Sequence, residues 1–106
     1  MTMAIPVPNH PLMTTLFFLE RGYRLEPSPD DGRLVVTGRE TYDPPYLADA
    51  LDELEAKGWL AVGEAGAAIT GTGHWHLMAW LKRVNPTLRR IVERGWLDRY
   101  DYEVRG

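Results

Sequence analysis

One short pattern occurs three times in this chain of 106 residues: a helix-forming end, a basic residue, a glycine, an aromatic, then apolar residues. It stands at Phe18-Leu19-Glu20-Arg21-Gly22-Tyr23-Arg24-Leu25, at Leu54-Glu55-Ala56-Lys57-Gly58-Trp59-Leu60 and at Ile91-Val92-Glu93-Arg94-Gly95-Trp96-Leu97. The glycines lie 36 and 37 residues apart. Glycine supplies the positive φ that ends a helix, the cation faces the last helical carbonyls, and the aromatic folds back on the helix. Each unit thus stops a helix and starts extended chain, which predicts alternating helices and strands. The stretches between the units share too little to make a solenoid, so the pattern reads as one junction reused.

The rest of the chain fits an α+β domain spanning 1–106. Residues 1–10 form an extended tail with Pro6 and Pro8, expected to dock by Ile5 and Val7 or to stay loose. Asn9 is the expected cap of a first helix, with Leu12, Leu16 and Leu19 on one face and Phe17 and Phe18 widening the apolar stripe. Tyr23–Glu26 and Arg33–Thr37 read as strands around the dense turn signal Pro27-Ser28-Pro29-Asp30-Asp31-Gly32. Asp43 should cap a second helix whose first turn is Pro44-Pro45, with Leu47, Ala50, Leu51 and Leu54 facing inward. Trp59–Val62 and Ala67–Thr70 read as a second hairpin. Thr70 or Thr72 can cap a third helix, from about Gly73 to Val84, whose buried face is expected to hold Leu77, Trp80, Leu81 and Val84. Asn85-Pro86 stops it and starts a last helix. Trp96–Val104 alternates apolar and charged residues, as a terminal strand would.

Composition removes several classes of function. The chain contains no cysteine, which excludes disulfides, thiolate metal sites and cysteine nucleophiles. No apolar run approaches the roughly 20 residues of a membrane span, and no secretory leader opens the chain, so a cytoplasmic protein is expected. The net charge of −3 is unevenly spread. Residues 1–70 hold five Lys/Arg and eleven Asp/Glu, a balance of −6, whereas 71–106 hold seven and four, a balance of +3. An acidic first part and a basic last part imply two faces with different partners, or faces that pair with each other.

Residues 47–81 resemble the C-terminal half of a winged-helix domain of the MarR and PadR regulator type. Leu54-Glu55-Ala56-Lys57-Gly58-Trp59-Leu60 is similar to that family's helix-to-wing junction, and Gly63-Glu64-Ala65-Gly66 stands at the wing tip. Ala68-Ile69-Thr70-Gly71-Thr72-Gly73 is similar to the segment that leaves the wing. The resemblance implies a winged-helix-like centre, here with an additional N-terminal hairpin and C-terminal helices, and a following helix used for dimer contacts. It does not carry DNA contacts with it. No second helix fits between Thr37 and Asp43. The helix in the recognition position exposes Asp49, Asp52, Glu53 and Glu55 against the single cation Lys57, a face that phosphates repel. Gly32-Arg33-Leu34-Val35-Val36 before a proline-started helix also resembles the small docking domains of peptide and polyketide synthases, up to about Lys57.

No catalytic constellation is present. Ser28 is the one serine, and it lies in a turn. Gly71-Thr72-Gly73 is not followed by the Lys-Ser/Thr of a phosphate loop. His74 and His76 would share a face on a strand, but on the helix expected there they diverge by about 200°. His10 is the remaining histidine. Neither metal nor cofactor is therefore expected, nor an enzyme.

The expected function is a regulatory module, an adaptor or inhibitor working by protein contact, of the kind found in transcription or phage–host machinery. Trp75, Arg83, Arg90 and Arg94 are the expected partner-binding residues, because aromatic and arginine side chains supply most interface energy. Asp49, Asp52 and Glu53 form a second candidate surface. The alternative is a homodimeric winged-helix DNA-binding regulator touching DNA through Lys82, Arg83, Arg89, Arg90 and Arg94.

Overall fold

A computed structural model describes residues 4–64 and 66–105. Its elements run β1 (Ile5–Pro8), α1 (Pro11–Glu20), β2 (Arg24–Pro27), β3 (Leu34–Thr37), β4 (Thr41–Tyr42), α2 (Leu47–Ala56), β5 (Leu60–Gly63), β6 (Gly66–Ile69), α3 (Gly71–Val84), α4 (Pro86–Glu93) and β7 (Tyr102–Arg105). A single 3-10 turn, Leu97–Arg99, precedes β7. This is the expected α+β domain. The strands form three small sheets: β2-β3-β4 antiparallel, β5-β6 antiparallel, and β1 parallel to β7.

The junction pattern folds as its chemistry demands. Gly22, Gly58 and Gly95 have φ of 98°, 74° and 68° and each stands one residue past a helix cap. The amides of Tyr23, Trp59 and Trp96 then reach back to the carbonyls of Phe18, Leu54 and Ile91. These bonds satisfy carbonyls that the helix end leaves open.

Helix α1 is the centre of the molecule and not an amphipathic surface helix. Six consecutive residues, Met13 to Phe18, are buried. Of the expected stripe Leu16, Phe17 and Phe18 are buried, and Leu12 and Leu19 are half-buried against the core. Thr14 and Thr15 can be buried because their hydroxyls donate to the carbonyls of Pro8 (2.7 Å) and Pro11 (2.8 Å). Around α1 pack α2, α3, β3 and β6. Phe17 meets Tyr102 edge-on at 5.1 Å, and Phe18 lies against Tyr23 and Tyr42 at 5.0 and 4.7 Å. Burying each such ring or a leucine contributes about 1.5–3 kcal/mol. Phe17, Phe18 and Leu16 on one helix therefore hold a large share of the core.

Several local expectations are corrected. His10, not Asn9, caps α1, its Nδ1 accepting from the amides of Leu12 and Met13 at 3.2 Å. Asn9 instead accepts a hydrogen bond from the Tyr46 hydroxyl at 2.6 Å. Asp43 does not cap α2, because it is held by Arg33 at 2.7 Å. Pro44-Pro45 stay outside the helix, which begins at Leu47 behind Tyr46. A two-residue strand, β4, fills the stretch before Asp43. Helix α3 starts at Gly71 with Thr70 as its cap, and Val84 is 43% exposed, not buried. The strand expected over 96–104 begins only at Tyr102. The described part of the tail docks, with Val7 fully buried in β1 beside β7, while residues 1–3 lie outside the described residues.

Thr70 fastens α2, the second hairpin and α3 together. Its hydroxyl donates to the Gly58 carbonyl (2.6 Å) and accepts from the Gly73 amide (3.0 Å), while its own amide donates to the Trp59 carbonyl (3.0 Å). Gly73 lies so close that a Cβ there would fall 2.9 Å from the Trp59 carbonyl carbon. Only glycine fits that approach.

Candidate functional site

Two of the molecule's concave surfaces lie on oppositely charged regions of the chain. The first is built by α4 and the segment after it. Asn85 caps α4, accepting from the Leu88 amide at 3.3 Å, and Pro86 takes the first helical position. The amphipathic α4 turns Leu88, Ile91 and Val92 into the core and leaves Arg90 outside. Gly95 then folds Trp96 back beside the helix. The result is a groove of about 250 Å³ lined by Ile5, Ile91, Trp96 and Tyr100, with Arg90 and Arg94 on its wall. The guanidinium groups of Arg94 and Arg99 lie 4.9 and 4.8 Å from the Trp96 ring centre, within cation–π range. Among the described residues neither Arg90 nor Arg94 forms an ion pair.

The basic cluster is not uniform. Arg89 is engaged by Glu93 at 2.8 Å, one turn on in the same helix. Lys82 and Arg83 are exposed on the last turn of α3, where cations also complement the helix dipole. Trp75 is 66% exposed, the most open of the large apolar side chains among the described residues. It sits eight residues from Arg83, about 12 Å along the axis of α3, so it belongs to a different neighbourhood. There its ring meets His76 edge-on at 4.9 Å, and His76 stacks on Trp59 at 4.1 Å. Lys57 lies 5.2 Å from the other partner of that stack, the Trp59 ring.

The histidines are divided among separate tasks. His10 caps α1, His74 bonds Glu20 through Nδ1 at 2.9 Å, and His76 stacks on Trp59. Among the described residues, no three His, Asp or Glu gather into a metal-binding group. No helix among them is long and apolar enough to cross a membrane.

The second concave surface was not foreseen from the sequence. It has a volume of about 220 Å³ and lies between α2, β3 and β5, lined by Leu25, Leu34, Leu51 and Val62 with Asp52 and Glu55 at its edge. Leu34 and Val62 are 43% and 42% exposed. Period-two alternation places Val62 on the same face as the buried Leu60, so the signal was present. The partner Leu34 comes from another element, and only the tertiary fold joins them. Asp49, Asp52, Glu53 and Glu55 are all exposed along α2. Asp49, in the first turn, also complements the helix dipole.

Burial perturbs three tyrosines. It raises Tyr23 and Tyr42 above the ordinary phenol value. It pushes Tyr102 up to about 12, with the Arg21 cation opposing the shift. The Tyr102 hydroxyl is buried without a hydrogen-bond partner among the described residues. The Arg21 guanidinium stands 4.4 Å from its ring centre.

Comparison with known protein families, characterised proteins and solved structures finds no match to this chain.

Proposed function

We propose that this chain is a small non-enzymatic contact module, an adaptor or inhibitor that regulates a larger machine through protein–protein contact at its basic, aromatic end. One observation carries the reading: Arg90 and Arg94, without ion-pair partners among the described residues, flank an apolar groove that contains Trp96. Arginine and tryptophan around a desolvated pocket are the usual composition of an interface hot spot. At about 250 Å³ the groove is below the roughly 300–1,000 Å³ of small-molecule sites, and it suits anchoring side chains of a partner. Trp75, about 12 Å along α3 from Arg83, would serve a separate contact beside His76 and Trp59. The test is affinity capture from nuclease-treated host lysate. The double reversal R90E/R94E should lose the partner captured by the parent protein, with an unchanged melting temperature. If it melts the protein, the cluster is structural. If capture is unchanged, the partner surface lies elsewhere.

A second reading, a homodimeric winged-helix DNA regulator, is favoured by the order α2, Gly58, β5-β6 hairpin, α3. In that reading Lys82, Arg83, Arg89, Arg90 and Arg94 would meet phosphates. Its salt signature is steep, since each phosphate contact releases counterions. The acidic face of α2 weighs against it. We expect weak duplex binding without sequence preference at physiological salt, and a nanomolar, sequence-specific shift in a gel at that salt would replace the first reading by the second.

A further inference from the structure

We infer that the groove between α2, β3 and β5 is a second docking site, and that its occupant is a protein segment carrying aliphatic side chains flanked by lysine or arginine. This rests on the reading of the chain as a contact module but uses a separate surface. Leu34 and Val62 are two large aliphatic side chains, each more than two-fifths exposed, and they come from different strands to line one concavity. An aliphatic side chain seated in this concavity would take both from water. The apolar part of the lining, Leu25, Leu34, Ala48, Leu51 and Val62, is aliphatic, with no aromatic ring to stack a base or a planar ligand. Its volume of about 220 Å³ takes side chains and is small for a metabolite.

Charge selects the occupant. Arg33 also borders the groove, but its cation is engaged by Asp43 at 2.7 Å and Asp31 at 3.4 Å. Asp52 and Glu55 form no ion pair among the described residues, and Asp49 and Glu53 continue the acidic face beyond them. The edge therefore presents net negative charge, which steers a basic segment in and repels nucleic acid and acidic surfaces.

The full chain is titrated against labelled synthetic peptides, read by fluorescence anisotropy. The probes are a lysine–leucine amphipathic peptide, the same peptide with serine for leucine, and the same with glutamate for lysine. The lysine–leucine peptide should bind, and both controls should bind about tenfold more weakly or worse. D52K/E55K and L34S/V62S should each weaken the lysine–leucine complex by about tenfold or more, whereas R90E/R94E should leave it unchanged. Equal binding of the serine peptide would overturn the inference, because charge alone would then suffice. So would unaltered binding by D52K/E55K, whose changes are at exposed positions and remain informative if L34S/V62S fails to fold. A parent protein that sediments as a dimer, dissociated by D52K/E55K, would overturn it in favour of a second copy as occupant. Because R90E/R94E is scored in both experiments, failure here is distinguishable from failure of the basic-end reading.

Discussion

The groove beside Arg90 and Arg94 and the groove beside Asp52 and Glu55 have similar size and opposite charge, and they are built by different routes. The basic one comes almost wholly from one continuous stretch, 87–100, holding α4, its glycine stop and the returning Trp96, with Ile5 of β1 alone brought in from afar. The acidic one is assembled from β2, β3, α2 and β5, contributed by two separate helix-to-hairpin units. A locally built site depends on caps and turns. A site assembled from distant segments depends on how the whole domain packs, so the acidic groove should be the more sensitive to core damage.

The largest effect tests that dependence directly. Gly73→Ala forces a Cβ against the Trp59 carbonyl, and α3 must back away from the β5–β6 junction. A loss on the order of 3 kcal/mol is expected in chemical denaturation. The acidic groove should lose its peptide affinity before the basic one loses its partner. Equal loss at both would erase the distinction. Next comes R90E/R94E, which should weaken partner binding at the basic end by about tenfold, near 1.4 kcal/mol, while changing fold stability by no more than about 0.5 kcal/mol. Gly58→Ala follows. No neighbouring atom lies within 4 Å of the added Cβ, so its cost is purely the strain of φ 74°, about 1 kcal/mol in a thermal melt. It acts at the helix end that feeds the acidic groove.

The smallest effect concerns Tyr102, beneath neither groove. Burial raises its phenol from 10 to about 12. A phenol whose folded value lies above its unfolded one leaves stability intact below pH 10 and removes it as pH rises from 10 through 12. Tyr102→Phe should therefore flatten the alkaline loss. At neutral pH it should match the parent or exceed it by up to about 1 kcal/mol, because an unpartnered buried hydroxyl is removed. Urea unfolding at pH 7 and at pH 11 measures both.

What the sequence made legible was the chemistry that acts over a few residues. The glycine stops, the Asn85-Pro86 start and the two hairpins each depend on neighbours in the chain, and each is found. Asp43 shows the limit. A good capping residue before two prolines was drawn instead to Arg33, ten residues away across the first hairpin. Helix α1 shows another: hydroxyl bonds from Thr14 and Thr15 to the Pro8 and Pro11 carbonyls offset their polarity and let residues 13–18 be buried on every face. Of the candidate partner residues, Arg90 and Arg94 share a groove because they are one helical turn apart. The place of Leu34 opposite Val62 could not be read, since only packing sets it.

The parallel pairing of β1 with β7 has a mechanical consequence. Ile5 stands beside Tyr102 and Pro8 beside Arg105, so the chain enters at one end of the strand pair and leaves at the other. Tension applied between the two ends would not peel these strands apart bond by bond. It would load them lengthwise, all their hydrogen bonds at once, with Val7 anchored in the core behind them. The two-stranded sheet is therefore the domain's clamp against pulling, one that joins segments nearly the whole chain apart.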